Sequence, residues 1–198
     1  MKKIISLFKR NYGDGPRLVY DEVVPGAEWV LAGDGIATRK WDGTCTRVHD
    51  GTLWKRFDAK HGKTPPAGFV AAQDPDPETG HWPGWLAIGD GPEDRWHRDA
   101  IEQLCQRGEW PLRDGTYALI GPKIQGNPER VDTHRLIRHG DQALPFAPRT
   151  FDFLRSYFTE RHALGADIEG IVWHHPDGRM VKIKSSDFGI PRAKKASQ

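Results

Sequence analysis

Ile168-Glu169-Gly170-Ile171-Val172-Trp173-His174-His175-Pro176-Asp177-Gly178-Arg179-Met180-Val181-Lys182-Ile183-Lys184 is the stretch whose reading decides the fold. Two runs of apolar, β-branched and aromatic residues, 168–174 and 179–184, flank Pro176-Asp177-Gly178, a turn sequence. The segment predicts two adjacent strands of one hairpin. Alternation along the second strand puts Lys182 and Lys184 on one face and buries Val181 and Ile183 on the other. Two ammonium groups on one strand face repel, and an anion shared between them would offset that repulsion. A plain solvated strand face is the commoner origin of such a pair. Glu169 and Gly170 open the first strand. A carboxylate there can stand at the mouth of a pocket and offer oxygen to a divalent cation, or it can simply be an edge-strand Glu before a bulge.

Outward from the hairpin, 22 Gly and 15 Pro punctuate the chain from end to end, a pattern of short strands and turns. Strands are expected near 17–24, 28–32, 36–40, 44–49, 52–57, 68–73, 85–89, 115–125 and 134–138, with Asp50-Gly51 as a tight hairpin turn. Residues 58–68 and 74–84 read as loops. Two helices stand out. In 93–107, Trp96, Ala100, Ile101, Leu104 and Cys105 share one face, and Glu93 and Asp94 fall in the first turn. In 148–163, Phe151, Leu154, Tyr157 and Phe158 form the apolar stripe. Antiparallel strands with segregated helices define an α+β fold. One domain is expected over 1–190, followed by a basic flexible tail over 191–198.

Composition excludes several classes. With 198 residues, 8 Trp, 4 Tyr and 8 Phe, the chain can bury a real core despite 37% hydrophobic content. No run approaches a membrane span. Met1-Lys2-Lys3-Ile4-Ile5-Ser6-Leu7-Phe8 imitates a signal peptide, but Lys9-Arg10 cuts the apolar stretch short. Cys45 and Cys105 stand alone, which excludes a disulfide scaffold and points to a reduced, cytoplasmic protein. A net charge of +2 does not carry the strongly basic mark of a nucleic-acid binder, although a local groove can be basic on a balanced chain.

Lys40-Trp41-Asp42-Gly43-Thr44 sets a lysine at a strand end beside a glycine, where an amine and bare backbone can both approach a phosphate. Alone, Lys-x-Asp-Gly is as well explained by a solvent-facing lysine before a turn. Its order with the distant Glu-Gly and Lys-x-Lys strands makes one coherent anion and metal site. Here the sequence resembles the covalent lysyl-nucleotidyltransferases, meaning ATP-dependent DNA and RNA ligases and mRNA capping enzymes. Lys40 to Gly43 looks like their first motif, Glu169-Gly170 their fourth and Lys182-Ile183-Lys184 their fifth. The wording Lys-Trp-Asp-Gly-Thr-Cys, the stretch from Tyr117 to Pro128 and Glu169-Gly170-Ile171-Val172-Trp173 are most similar to a compact RNA ligase family with vertebrate 5′-to-3′ members. The likeness covers residues 36–188.

The resemblance implies a nucleotidyltransferase domain of antiparallel sheets flanked by helices, with no C-terminal OB-fold. It implies ATP as substrate, Mg²⁺ or Mn²⁺ as cofactor, and joining of RNA 5′-phosphate and 3′-hydroxyl ends. Lys40 would be the nucleophile, Glu169 the metal-binding carboxylate, and Lys182 and Lys184 the phosphate contacts. Arg39, Arg47, Lys55 and Arg56 are further candidates for the nucleotide. The family's third motif presents a ribose-binding Glu where this chain has Ala118, and several RNA ligases have Glu where it has Arg39. Phe146, Phe151 or Trp173 would stack on adenine. His134, His139 and His174-His175 lack a complete ligand spacing and read as hydrogen-bonding histidines. Trp82 and Trp85 read as core or loop anchors before a base-stacking platform, and Cys45 as packing. The expected protein is a monomer without membrane contact. A nick-sealing ligase on DNA or hybrid duplex, or an end-binding module without catalysis, are the alternatives.

Overall fold

A computed structural model describes residues 4–13, 15–59 and 64–192. The last six residues of the expected tail, 193–198, lie outside the described residues. In chain order the elements are β1 (Ile5–Ser6), β2 (Phe8–Arg10), β3 (Val19–Val23), α1 (Glu28–Leu31), β4 (Ile36–Lys40), β5 (Thr44–His49), β6 (Thr52–Ala59), β7 (Val70–Ala71), β8 (Trp82–Ala87), α2 (Arg95–Gln106), β9 (Gly115–Ile120), β10 (Arg135–Arg138), α3 (Phe151–Ala163), β11 (Gly170–His174) and β12 (Met180–Lys184). The fold is α+β, with mostly antiparallel sheets and few helices, as the sequence predicts. No helix among the described residues is long and apolar enough to cross a membrane. The described residues form two compact units, one within residues 43–139 and the other within residues 4–42 and 140–192.

The first unit is a six-stranded antiparallel sheet in the order β10-β9-β5-β6-β8-β7. Asp50 and Gly51 close the β5–β6 hairpin with φ of 48° and 70°, the left-handed pair that suits a two-residue turn between right-twisted strands. One sheet face, through Val48, Leu53, Tyr117, Leu119 and Leu136, packs on Ala100 and Leu104 of α2. The predicted helix 93–107 resolves into a 3₁₀ turn at Pro92–Asp94 followed by α2, and Gly108 at φ 70° ends it. Strand β8 begins at Trp82, inside the segment read as a loop, and Trp82 Nε1–H anchors that loop on the Gln73 carbonyl at 2.9 Å. Strand β9 stops at Ile120, short of the expected 125.

The second unit holds a four-stranded sheet in the order β1-β12-β11-β4 and a two-stranded ribbon of β2 and β3. Its core gathers Leu7, Phe8, Leu154, Phe158, Ile171, Trp173, Val181 and Ile183, so the apolar sides of the hairpin and of α3 meet as their alternation requires. One expectation fails here: residues 28–32 contain a single helical turn, α1, in place of a strand. Trp and Val favour strands, but the Glu28 carboxylate accepts the Gly26 N–H at 2.9 Å and the Ala32 N–H closes on Glu28 O at 3.1 Å. Arg149 then donates to the carbonyls of Val30, Asp34 and Gly35 at 2.9, 2.5 and 2.9 Å. A partner 115 residues away in sequence satisfies the carbonyls at the end of that turn. Strands β1 and β2 are the other departure. Both lie in the stretch that imitates a signal peptide, and β1 pairs parallel to β12, Ile5 with Val181 and Ser6 with Lys182.

Strand β11 is central to its sheet. Gly170 pairs with Lys40 of β4 on one side and with Lys184 of β12 on the other. A Cβ at Gly170 would overlap the Ile183 carbonyl and stand 2.9 Å from Lys184 Cα. Gly170→Ala should therefore destabilise the protein by about 1–3 kcal/mol, the usual cost of forcing atoms into a filled site. Chemical denaturation should read this as a lower midpoint with an unchanged slope. An unaltered midpoint would show that the strands are not held at this separation.

Candidate active site

Paired residues of neighbouring strands project from the same face of a sheet. The register therefore lines up Lys184, Gly170 and Lys40 in one row, and Lys182, Val172 and Thr38 in the next, all opposite the apolar core. Lys40 and Lys184 flank a residue with no side chain. Glu169, one position earlier, fills the space between them. Lys40 Nζ donates to Glu169 Oε2 at 2.5 Å, and Lys184 Nζ lies 2.7 Å from Glu169 Oε1. Glu169 is only 9% exposed, so its charge must be matched by partners of this kind.

The two motif lysines of β12 are not equivalent. Burial pushes the Lys184 ammonium toward neutrality, but the Glu169 carboxylate, with Asp187 and Asp42 behind it, more than offsets this and holds its pKa above 10.5. Burial lowers the pKa of Lys182, and the positive charges of Lys184 and Lys40 lower it further. Among the described residues the Lys182 ammonium has no hydrogen-bond or ion-pair partner. The anion expected between the two lysines is thus Glu169, and it is shared by Lys184 with Lys40, not with Lys182.

Further side chains lie on or beside the strands that carry this row. Asp187, buried, accepts the Lys184 backbone N–H at 2.9 Å and Arg10 Nη2–H at 2.5 Å, tying the end of β12 to β2. Its sequence signal is an Asp three residues beyond Lys184 at the start of a short helical turn, Ser185–Phe188. Arg192 Nε lies 3.0 Å from Asp167 and 3.9 Å from Asp42. The Arg39 guanidinium stacks 3.9 Å over the Trp41 ring. Thr38 Oγ1 donates to the Val172 carbonyl at 3.2 Å and sits 3.0 Å from His174 Nε2.

The remaining candidates divide by location. Arg39, Lys40, Glu169, Lys182 and Lys184 all belong to the second unit, whereas Arg47, Lys55 and Arg56 belong to the first. There, alternation sends Lys55 to the face packed on α2, where Asp94 holds it at 2.6 Å. Asp94 is 1% exposed. Burial raises its pKa, but the Gly89 N–H and the Lys55 ammonium outweigh that and hold it below 3.8. Arg47 and Arg56 emerge from the opposite face, Arg47 paired with Trp54 and Arg56 stacked on Trp85 at 5.1 Å. Trp173 is a core residue and fully buried, which closes its ring to stacking, whereas Phe151 is partly buried and edge-on to Phe8. Phe146 is 95% exposed, in the turn after Leu144, whose N–H bonds Ala37 O at 2.8 Å. The histidines make hydrogen bonds, His134 to Asp99, His139 to Thr116 and His174 to Thr38, and Cys45 is half-buried.

The comparisons with known proteins follow this geometry. The family model for RNA ligase 1 matches residues 108–197, a stretch that contains Glu169, Lys182 and Lys184. The mouse protein named RNA ligase 1 is 26% identical over 79% of this chain and 68% of its own length. The zebrafish RNA ligase 1 is 30% identical over 57% of this chain and 42% of its own length. The rat RNA ligase 1 is 26% identical over 79% and 68% respectively. The chain resembles the RNA ligase 1 family.

Two outcomes are expected. A lysine whose folded pKa is raised adds stability that is complete below 10.5 and is lost as pH rises through the folded value. Glu169→Gln should remove that term. Melting temperature should then fall less steeply above about pH 10, and Lys184 should titrate lower by NMR of its side chain. An unchanged Lys184 titration would refute the shared-carboxylate account. For Asp94 the sign is opposite, since a depressed carboxylate adds stability above 3.8 that is lost as pH falls through the folded value. Lys55→Met leaves Asp94 buried without its cation and should cost about 3–5 kcal/mol at neutral pH.

Proposed function

We propose that this chain is an ATP-dependent RNA ligase with the nucleotidyltransferase fold, joining 5′-phosphate and 3′-hydroxyl ends through a lysyl-AMP intermediate. One observation carries the reading: a single buried carboxylate, Glu169, bridges Lys40 and Lys184 across a glycine, with Lys182 in the next row. Three lysines on one sheet face make a surface for polyanionic phosphate, and one of them is set at a strand end as a nucleophile. The names of the relatives support RNA as the strand that is joined.

In the first step Lys40 Nζ gives up a proton and forms a bond to the α-phosphorus of ATP. The bond from that phosphorus to the bridging oxygen breaks, and pyrophosphate departs with the electron pair. In the second step an oxygen of the 5′-phosphate attacks the same phosphorus, the N–P bond breaks, and the Lys40 amine is regenerated. In the third, the 3′-hydroxyl loses its proton, bonds to the 5′-phosphorus and expels AMP. Lys182 and Lys184 neutralise phosphate charge at each displacement. Each Glu169 oxygen faces one ammonium and keeps a second lone pair, so the carboxylate would still offer a ligand to Mg²⁺ or Mn²⁺, hard cations held through one or two carboxylates with the remaining positions left to water and phosphate. A cation held there would draw charge from the phosphate oxygens. Arg47 and Arg56 remain candidates for nucleotide contacts, whereas Lys55 is committed to Asp94. Action as a monomer in a reducing cytoplasm completes the proposal.

Incubation with ATP and Mg²⁺ should add the mass of one AMP to the intact protein, and Lys40→Ala should abolish the gain. Lys182→Ala should slow adenylylation by about 10²–10³-fold, the usual cost of removing one donor to developing charge. A wild-type protein that gains no mass with ATP or GTP, in Mg²⁺ or Mn²⁺, and carries none beforehand, would overturn the proposal.

A further inference from the structure

The second row of the sheet face has a member that no family motif contains. Ser6 of β1 pairs with Lys182 in parallel register, so its hydroxyl leaves the sheet on the same side as the Lys182 ammonium. The pairing is fixed by the Leu7 N–H bonded to the Lys182 carbonyl at 2.8 Å. Ser6 Oγ is buried and has no hydrogen-bond partner among the described residues. Beside it, Lys182 is half-buried and its ammonium has no hydrogen-bond or ion-pair partner among those residues either. In the first row two ammonium groups share one carboxylate. The second row, Ser6, Lys182, Val172 and Thr38, contains an ammonium and no acid. The Lys182 ammonium can only donate, and the Ser6 hydroxyl has a proton to donate. One acceptor carrying negative charge would satisfy both, and neither a cation nor an apolar group would.

We infer that Ser6 and Lys182 together form a phosphate-binding position, in which Ser6 Oγ–H donates to a phosphate oxygen held by the Lys182 ammonium. The inference rests on the proposed function for the source of the phosphate. That source is either a phosphate of ATP or the 5′-phosphate of the strand to be joined. Ser6 is a specificity-determining contact in this arrangement, and the N-terminal strand is part of the site.

The test uses the full chain as wild type, Ser6→Ala, Ser6→Thr and Ser6→Asp. Single-turnover adenylylation is followed against ATP concentration. With pre-adenylylated protein, transfer of AMP is followed against a 5′-phosphorylated oligoribonucleotide. Ser6→Ala should raise the half-saturating concentration in one arm about tenfold, the loss of one hydrogen bond to a charged group, with little change in the plateau rate. The arm that responds identifies the phosphate. Ser6→Thr, which keeps the hydroxyl, should restore binding. Ser6→Asp, which would pair with Lys182 and repel phosphate, should abolish it. Calorimetric titration with inorganic tripolyphosphate provides a readout without catalysis. If the wild type forms no adduct yet binds tripolyphosphate more tightly than Ser6→Ala does, the ligase reading fails and the anion position stands. Equal saturation and equal tripolyphosphate affinity in wild type and Ser6→Ala would overturn the inference.

Discussion

The sharing of the Glu169 carboxylate between Lys40 and Lys184 is the interaction on which the candidate site depends. Coulomb attraction at this range, about 4 kcal/mol per pair near a protein surface, offsets both the repulsion between the ammonium groups and the cost of burying the acid. It also requires a geometry. The two lysines must rise from strands on either side of a third, the residue between them must have no side chain, and the acid must come from one position earlier. The register of β11 meets the first demand and Gly170 the second, and Glu169, just before the strand begins, reaches both ammonium groups from outside its alternation.

That requirement reaches back into the core. Alternation leaves Ile171, Trp173, Val181 and Ile183 on the opposite face, all buried with Leu154 and Phe158 of α3. A slip of one residue in either pairing would turn the lysines into the core and the apolar residues out. Hydrophobic packing on one face therefore fixes the charges on the other. Asp187 adds a local restraint, since it holds the Lys184 backbone directly and is itself held by Arg10.

Much of this was legible in the sequence. Strands β4 and β5 fall where alternation and β-branching put them, and the 168–184 hairpin forms with its lysines on one face. These signals are local, a period of two and a turn sequence, and local signals survive into the fold. The misses have non-local causes. Residues 28–32 look like a strand by propensity, but Arg149 collects the carbonyls of a helical turn there. Strand β1 is two residues long and owes its existence to β12, more than 170 residues further on. Lys55 and Arg56 are neighbours with the same charge. Only the position of α2 reveals that one is paired with a buried Asp94 while the other stacks on Trp85. Trp173 is a related case, since the apolar character that suggested stacking is what buried it.

Lys182 and Lys184 differ in what surrounds their ammonium groups. Both stand on one strand, two residues apart, and both are half-buried. One has an acid beside it and is held in its charged form. On the other, burial and the like charges of Lys184 and Lys40 outweigh the more distant carboxylates of Asp187 and Glu169, and the balance favours the neutral form. A protein gains nothing in stability from a half-buried ammonium that lacks a counter-charge, so its cost is met by what binds there or by the apolar stem it contributes. The stem of Lys182 lies beside Ser6, whose hydroxyl is equally unmet. A hydroxyl and an ammonium without acceptors for their protons, side by side on a face already rich in positive charge, make this row the part of the sheet whose polar groups are completed by an incoming anion. The short N-terminal strand that brings Ser6 there, and Arg10 to Asp187 four residues later, belongs to the construction of the site as much as the motif strands do.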